Sequence, residues 1–277
     1  MLDKLQDAAL DEYKKKQLAN KNDKYNFDKL KMYFGEDYKV KNKVKDIIIS
    51  MPTIGDILEI GEDGFYRAIS PFLYNSTSIR VMLWDYFKKD WNKVKDIEVF
   101  AIMSKIIEDK SPLKLVFKNI NFDDFILVPA KRNVEDEDYN ELALYSESQE
   151  ILLYEDEYME IAEYIREMMN RHPKVEKAKG KTAVSWIIQE DKMNAEIEKE
   201  KNKSGSTLLP LISACVNHPG FKYKLQELRE VGIYQFMDSV KRLQVYESTC
   251  ALTNGLYCGF SDLSKIDKNE FNFMRDI

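Results

Sequence analysis

Two histidines and three cysteines among 277 residues leave few side chains able to serve as base, thiol nucleophile or soft-metal ligand near neutral pH. Cys215 and His218 form a C-x2-H pair, with Cys250 and Cys258 further on. Structural zinc usually needs two close ligand pairs, and the later cysteines are eight apart, so the spacing favours buried reduced thiols. Nor do three dispersed cysteines build a disulfide framework. His172 and His218 each precede a proline, a pattern of helix ends, and neither has a recognisable nucleophile or orienting carboxylate. Asp136, Asp138, Asn140 and Glu147 occupy positions 1, 3, 5 and 12 of a calcium loop, but position 6, which needs glycine, is Glu141. Residues 135–147 therefore read as a solvated acidic loop, and whether it binds a cation stays open. The chain carries no G-x4-G-K-[ST], G-x-G-x-x-G or G-x-S-x-G motif. No catalytic residue, metal site or cofactor is predicted, and the expectation is a protein that is not an enzyme.

The visible chemistry is that of binding. Lys39, Lys41, Lys43 and Lys45 recur at every second residue, which places all four on one face of an extended strand. Such a face presents a cationic ribbon to an anion, or simply discourages edge-to-edge pairing. Trp186 lies on a helix that becomes almost wholly charged by residues 196–203, and a helix end polar nearly all round projects into solvent or meets a partner. These five residues are the candidate partner-binding set. The net charge of −6 is unevenly spread: residues 134–163 hold twelve acidic and no basic side chains, while residues 1–45 hold twelve lysines against eight acids. The acidic block opposes a continuous phosphate track, so nucleic acid is not the expected partner.

The elements that must position these residues are mostly helical. Gly (10) and Pro (7) are scarce, which argues against a many-turned all-β chain, and the 44% hydrophobic content suffices for a core. Residues 2–18 read as a charged helix. Leu30, Met32 and Phe34 alternate, Gly35-Glu36-Asp37 offers a turn, and an extended run begins at Tyr38, so an N-terminal β-ribbon is expected there. Residues 47–49 read as a short buried strand. Thr53 should cap a helix through Ile60, Gly61 and Gly64 break the chain, and a further helix is closed by Pro71. Residues 113–117, 125–128, 142–145 and 151–154 read as strands of a small inserted β subdomain. Tyr158, Ile161, Ala162, Ile165, Met168 and Met169 trace a helical stripe. Ser206 should cap the next helix, and a last one runs from Ile233 until Asn254-Gly255 stops it. The longest apolar run, 208–216, is too short to span a bilayer and contains Pro210. The fold class expected is α+β and predominantly helical: a helical body, a small inserted antiparallel β subdomain and an N-terminal β-ribbon. Its expected domains are 1–112, 113–155 and 156–277.

Three phrases in order, MPTIGDILEIGEDGFYRAISPFL, SIRVMLWDYFKKDWNKVKDIEVFAIM and TLLPLISACVNHPGFKYKLQELREVGIYQFMDSVKRLQVYESTCALTNGLYCGFSDLSKID, resemble a family of uncharacterised tail-region proteins of tailed phages and prophages of Gram-positive bacteria. Trp84, Asp85, Trp91, Phe100, Pro210, Tyr234, Phe236, Gly255 and Gly259 carry the match, and each reads first as packing or as a helix end. The resemblance implies tail or baseplate assembly: a tail assembly chaperone or baseplate-associated component that binds a tape-measure or baseplate protein. It implies no catalytic residue. The implied location is the host cytoplasm during assembly, or the virion tail, with no membrane partner and an oligomer as an open state. The alternatives are a regulatory or host-takeover protein contacting nucleic acid through Lys39 to Lys45 and the 174–181 connector, and an enzyme without a recognisable motif.

Overall fold

In the computed structural model, which describes residues 25–132, 141–201, 205–259 and 266–276, Asp28 starts the first helix, α1 (Lys29–Tyr33). Its Oδ1 accepts the amides of Leu30 and Lys31 at 3.1 and 3.2 Å. This corrects the extended reading of residues 30–34. Met32 is the buried residue of that turn, and the aspartate cap decides for helix. The ribbon follows instead: β1 (Tyr38–Val40) pairs antiparallel with β2 (Ile47–Ile49), Val40 opposite Ile47 and both buried. The other edge of β2 is closed by the chain at 116–119, where the Ser50 amide donates to the Val116 carbonyl at 2.7 Å and Phe117 bridges Ile49. Residues 113–117 are therefore not a strand. Proline lacks an amide donor and suits a first helical turn, and Pro112 begins a short 3-10 helix (Ser111–Leu115).

Thr53 caps α2 (Ile54–Ile60) as expected, exchanging hydrogen bonds with Asp56. The next helix, α3 (Glu62–Leu73), runs through Gly64 and past Pro71, a correction to the expected breaks. Pro71 cannot donate to the Arg67 carbonyl, and the Ser70 hydroxyl takes that place at 2.9 Å. Two more helices follow, α4 (Arg80–Asp85) and α5 (Asp96–Ile106), with a 3-10 turn (Trp91–Lys93) between them. An antiparallel sheet in the order β3-β4-β5 is formed by β3 (Ile126–Ala130), β4 (Glu141–Ser146) and β5 (Ile151–Tyr154). It packs on α5 and on α6 (Glu155–Met168), whose stripe from Tyr158 to Met169 is buried in full. The chain continues through α7 (Lys181–Lys201), α8 (Leu208–Val216) and α9 (Ile233–Tyr257). The last helix passes through Gly255 rather than stopping there. The fold is a predominantly helical α+β architecture with two small antiparallel sheets.

Phe72 on α3 stands at the centre of the main core, its ring among those of Phe100, Phe117, Phe122 and Tyr158 at centroid distances of 4.9 to 6.3 Å. A second, smaller cluster joins Ile79, Leu83, Trp91 and Val99 to Val184 and Ile188 of α7. Helix α5 serves both, with Ile97 and Phe100 turned to the first cluster and Val99 to the second. That accounts for its apolar residues on several faces. The charged helix expected at residues 2–18, the calcium-loop positions 136–140 and residues 202–204 lie outside the described residues.

Candidate functional site

The four lysines do not share one face. The strand ends at Val40, so Lys39 alone sits in the ladder, opposite Ile48, and the chain then turns. Lys45 turns its ammonium onto the Asn119 carbonyl at 2.8 Å. Lys41 and Lys43 line a cleft of about 370 Å³ together with Tyr25, Arg132, Tyr154, Asp156, Glu157 and Glu160. The alternation expected from sequence fails because three paired residues are too short a strand to carry it.

Most of the cleft's charge is already spent. Arg132 lies over the Tyr154 ring, 4.5 Å from its centroid, and grips Asp156 with both Nη1 and Nη2. That grip holds the Asp156 carboxyl below the usual carboxylate range. Glu160 accepts the Tyr38 hydroxyl at 2.7 Å. Burial pushes the neighbouring Glu157 carboxyl up, so two adjacent carboxylates are driven in opposite directions, a pattern that acid–base pairs exploit. Yet both oxygens of Glu157 are engaged, one by Asn42 Nδ2 at 3.0 Å and one by the Tyr154 amide at 2.8 Å, where it caps the start of α6. Lys43 reaches the Arg132 carbonyl at 3.5 Å, and Lys41 has no partner among the described residues. One free ammonium facing three carboxylates is a poor anion trap, and the cleft is better understood as the seam joining the ribbon, the sheet and α6.

Trp186 belongs to a different surface. Before α7 the chain is extended, and side chains from 75–92 hold the backbone of every second residue. Asn75 donates to the Lys174 carbonyl at 2.9 Å, and Trp91 Nε1 donates to that of Glu176 at 3.0 Å. Asn92 both donates to the Ala178 carbonyl (3.3 Å) and accepts its amide (3.2 Å). Buried Arg80 ties Glu176 to Asp191, and Lys192 pairs with Asp85 at 2.7 Å. Val184 and Ile188 seat α7 on the second cluster.

Helical geometry advances about 100° per residue, so Trp186, Met193 and Ile197 fall on one stripe, opposite the Val184–Ile188 face. They are 70%, 64% and 46% exposed. The end of α4 adds exposed Trp84, Tyr86 and Phe87, brought beside α7 by the Asp85–Lys192 pair. Trp186, a sequence candidate for partner contact, is exposed here; Met193 and Ile197 were not candidates, although their spacing of seven and four from Trp186 onward was there to be read. Four of these six exposed side chains are aromatic, with one methionine and one isoleucine.

The remaining sequence candidates resolve as structure. His218 Nδ1 accepts the Gly220 amide at 3.0 Å while its Nε2 faces Glu247 at 3.0 Å, and His172 Nε2 pairs with Glu167 at 3.3 Å. Cys215 is buried, but Cys258 is exposed, against the expectation of buried thiols throughout. Among the described residues no group of His, Cys, Asp and Glu is arranged to hold a metal ion, and no helix is long and apolar enough to cross a membrane.

Fold and surface together define a predominantly helical α+β protein that, among its described residues, exposes an apolar stripe on one helix face. Residues 199–277, which include α8 and α9, match the family model for the YomV second domain, a phage-derived family of the Bacillus phage SPBc2 type. The match supports a phage origin; it covers under a third of the chain, and the Trp186–Met193–Ile197 stripe lies outside it. No curated protein and no solved structure matches the chain.

Proposed function

We propose that the protein acts in phage tail morphogenesis by binding another protein, as a tail assembly chaperone or a baseplate-associated component. The observation that carries the binding role is the uncovered stripe of Trp186, Met193 and Ile197 on a helix already anchored through its opposite face. Tryptophan and methionine contribute strongly to contacts between proteins and add nothing to a monomer when exposed. The tail assignment rests on the ordered phrases that resemble tail-region proteins, and the family match at residues 199–277 supports a phage origin. Its place of action is the host cytoplasm during assembly.

Affinity capture of the tagged full chain from cells producing the phage tests this reading. Recovery of tape-measure or baseplate protein, reduced by Trp186→Ala, is the expected result; eluates free of tail components overturn it. Mass spectrometry of purified particles then separates the two roles, since a structural component remains in the virion and a chaperone does not.

A further inference from the structure

We infer that the outer face of α7 seats an amphipathic helix of the partner protein whose apolar seam is flanked by lysine or arginine. This rests on the protein-binding reading above and specifies its partner. Helix α7 carries apolar residues on two opposite faces. A helix docked on one side of a globular body needs one such face, and Val184 with Ile188 already provides it. The stripe from Trp186 to Ile197 is surplus to this fold, and it extends about 16 Å, three helical turns, which suits the seam of a crossing helix.

Charge selects the occupant. Glu190 lies within the stripe between Trp186 and Met193, and Glu196 adjoins Ile197. Both are exposed, and neither has a partner among the described residues. By contrast, Asp191 and Lys192 on the docked side are consumed by Arg80 and Asp85. Among the described side chains the uncompensated charge at the stripe is therefore negative, so a basic flank is attracted and an acidic one repelled. A second copy of the chain fits poorly. An antiparallel pairing that sets Trp186 against Ile197 sets Glu190 against Met193, which buries a carboxylate on an apolar side chain. Parallel pairing opposes Glu190 to itself.

Two labelled probe peptides of identical amphipathic helical pattern, one of leucine and lysine and one of leucine and glutamate, test this against the purified full chain by fluorescence anisotropy. The lysine peptide is expected to bind and the glutamate peptide not. Trp186→Ala should weaken binding by about tenfold or more, and the double variant Glu190→Lys/Glu196→Lys should reverse the preference. Thermal melts of each variant confirm that it is folded. Three results overturn the inference: no binding of either peptide, a preference that survives the double reversal, or self-association by light scattering that Trp186→Ala abolishes. Capture of tail proteins together with an unreversed preference leaves the proposed function standing and this seat wrong. A reversed preference without captured tail proteins does the opposite.

Discussion

Arg166 is buried with each nitrogen of its guanidinium hydrogen-bonded. Nε donates to the Phe72 carbonyl at 3.1 Å, Nη2 to the Tyr74 carbonyl at 2.9 Å and to Asp96 at 2.8 Å, and Nη1 to Glu163 at 2.8 Å. It fixes the end of α3 against α5 and α6. Removing one partner of a buried ion network strands the others, so Arg166→Met should destabilise by about 3–5 kcal/mol in denaturant unfolding. Arg166→Lys should not rescue, because a single ammonium lacks the planar fork that reaches both carbonyls and both carboxylates. Glu167, one residue on, is set by pairing instead. Its hydrogen bond with His172, and then Lys29 at 3.1 Å, holds its carboxyl down at about 2 against an ordinary 4.5. A depressed carboxyl contributes stability that is present above the unfolded value and lost as pH falls from about 4.5 to about 2. Since Lys29 is largely exposed, Glu167→Gln should cost roughly 1–2 kcal/mol at neutral pH. The variant's stability curve should also be flatter across that acid window. An acid limb as steep as that of the parent chain would show that Glu167 is not its source.

At the scale of elements, one helix starts another. Glu62 in the first turn of α3 accepts the amides of Thr207 and Leu208 at 2.6 and 2.7 Å and the Ser206 hydroxyl at 2.6 Å, while Ser206 Oγ accepts the Leu209 amide at 2.9 Å. A carboxylate at the amino end of α8 satisfies its orphan donors and meets its dipole. Glu62→Ala should cost about 1–2 kcal/mol and speed hydrogen exchange at Thr207, Leu208 and Leu209, and exchange unchanged at those amides would refute the cap. Half of this device was legible: serine before a hydrophobic run announces a cap, and Ser206 is one. Glu62 was not, because 144 residues separate it from Ser206. The same division holds elsewhere. The stripe of α6 reads directly because its periodicity is its burial, whereas Leu30–Met32–Phe34 alternates like a strand in a segment whose backbone is committed by Asp28. Lys41, Arg132, Tyr154 and Asp156 come from three segments, so no local pattern announces their cleft. Gly55 is a further case. A Cβ there would lie 2.6 Å from the Arg229 carbonyl oxygen, so this close approach of α2 to a 3-10 turn (Glu227–Glu230) is invisible until the two are packed.

Over the whole molecule, the two apolar clusters imply two levels of stability. The main core is closed by many aromatic contacts around Phe72, so Phe72→Ala should cost about 3–5 kcal/mol and lower every unfolding probe together. The connector and α7 are held by far less: the small second cluster, the ion pairs of Arg80 and of Lys192 with Asp85, and side-chain hydrogen bonds from Asn75, Thr77, Trp91 and Asn92 to the backbone at 174–178. Segments attached by few buried contacts open below the global free energy. Asn92→Ala removes two of these hydrogen bonds, worth about 1 kcal/mol each, and touches none of the main core. Trypsin should then cleave at exposed Lys177 and Lys179 about tenfold faster, with the denaturant midpoint of the core little changed. Trp91→Phe, which loses the indole N–H to Glu176 and leaves a cavity in the second cluster, should act in the same direction. If Asn92→Ala instead lowers all probes in parallel, connector and core unfold as one unit. The face carried by α7 would then be as rigid as the rest of the protein. If cleavage alone accelerates, the exposed stripe of α7 rides on a separable strap, and a peptide helix bound to it as proposed should protect Lys177 and Lys179 in the same assay.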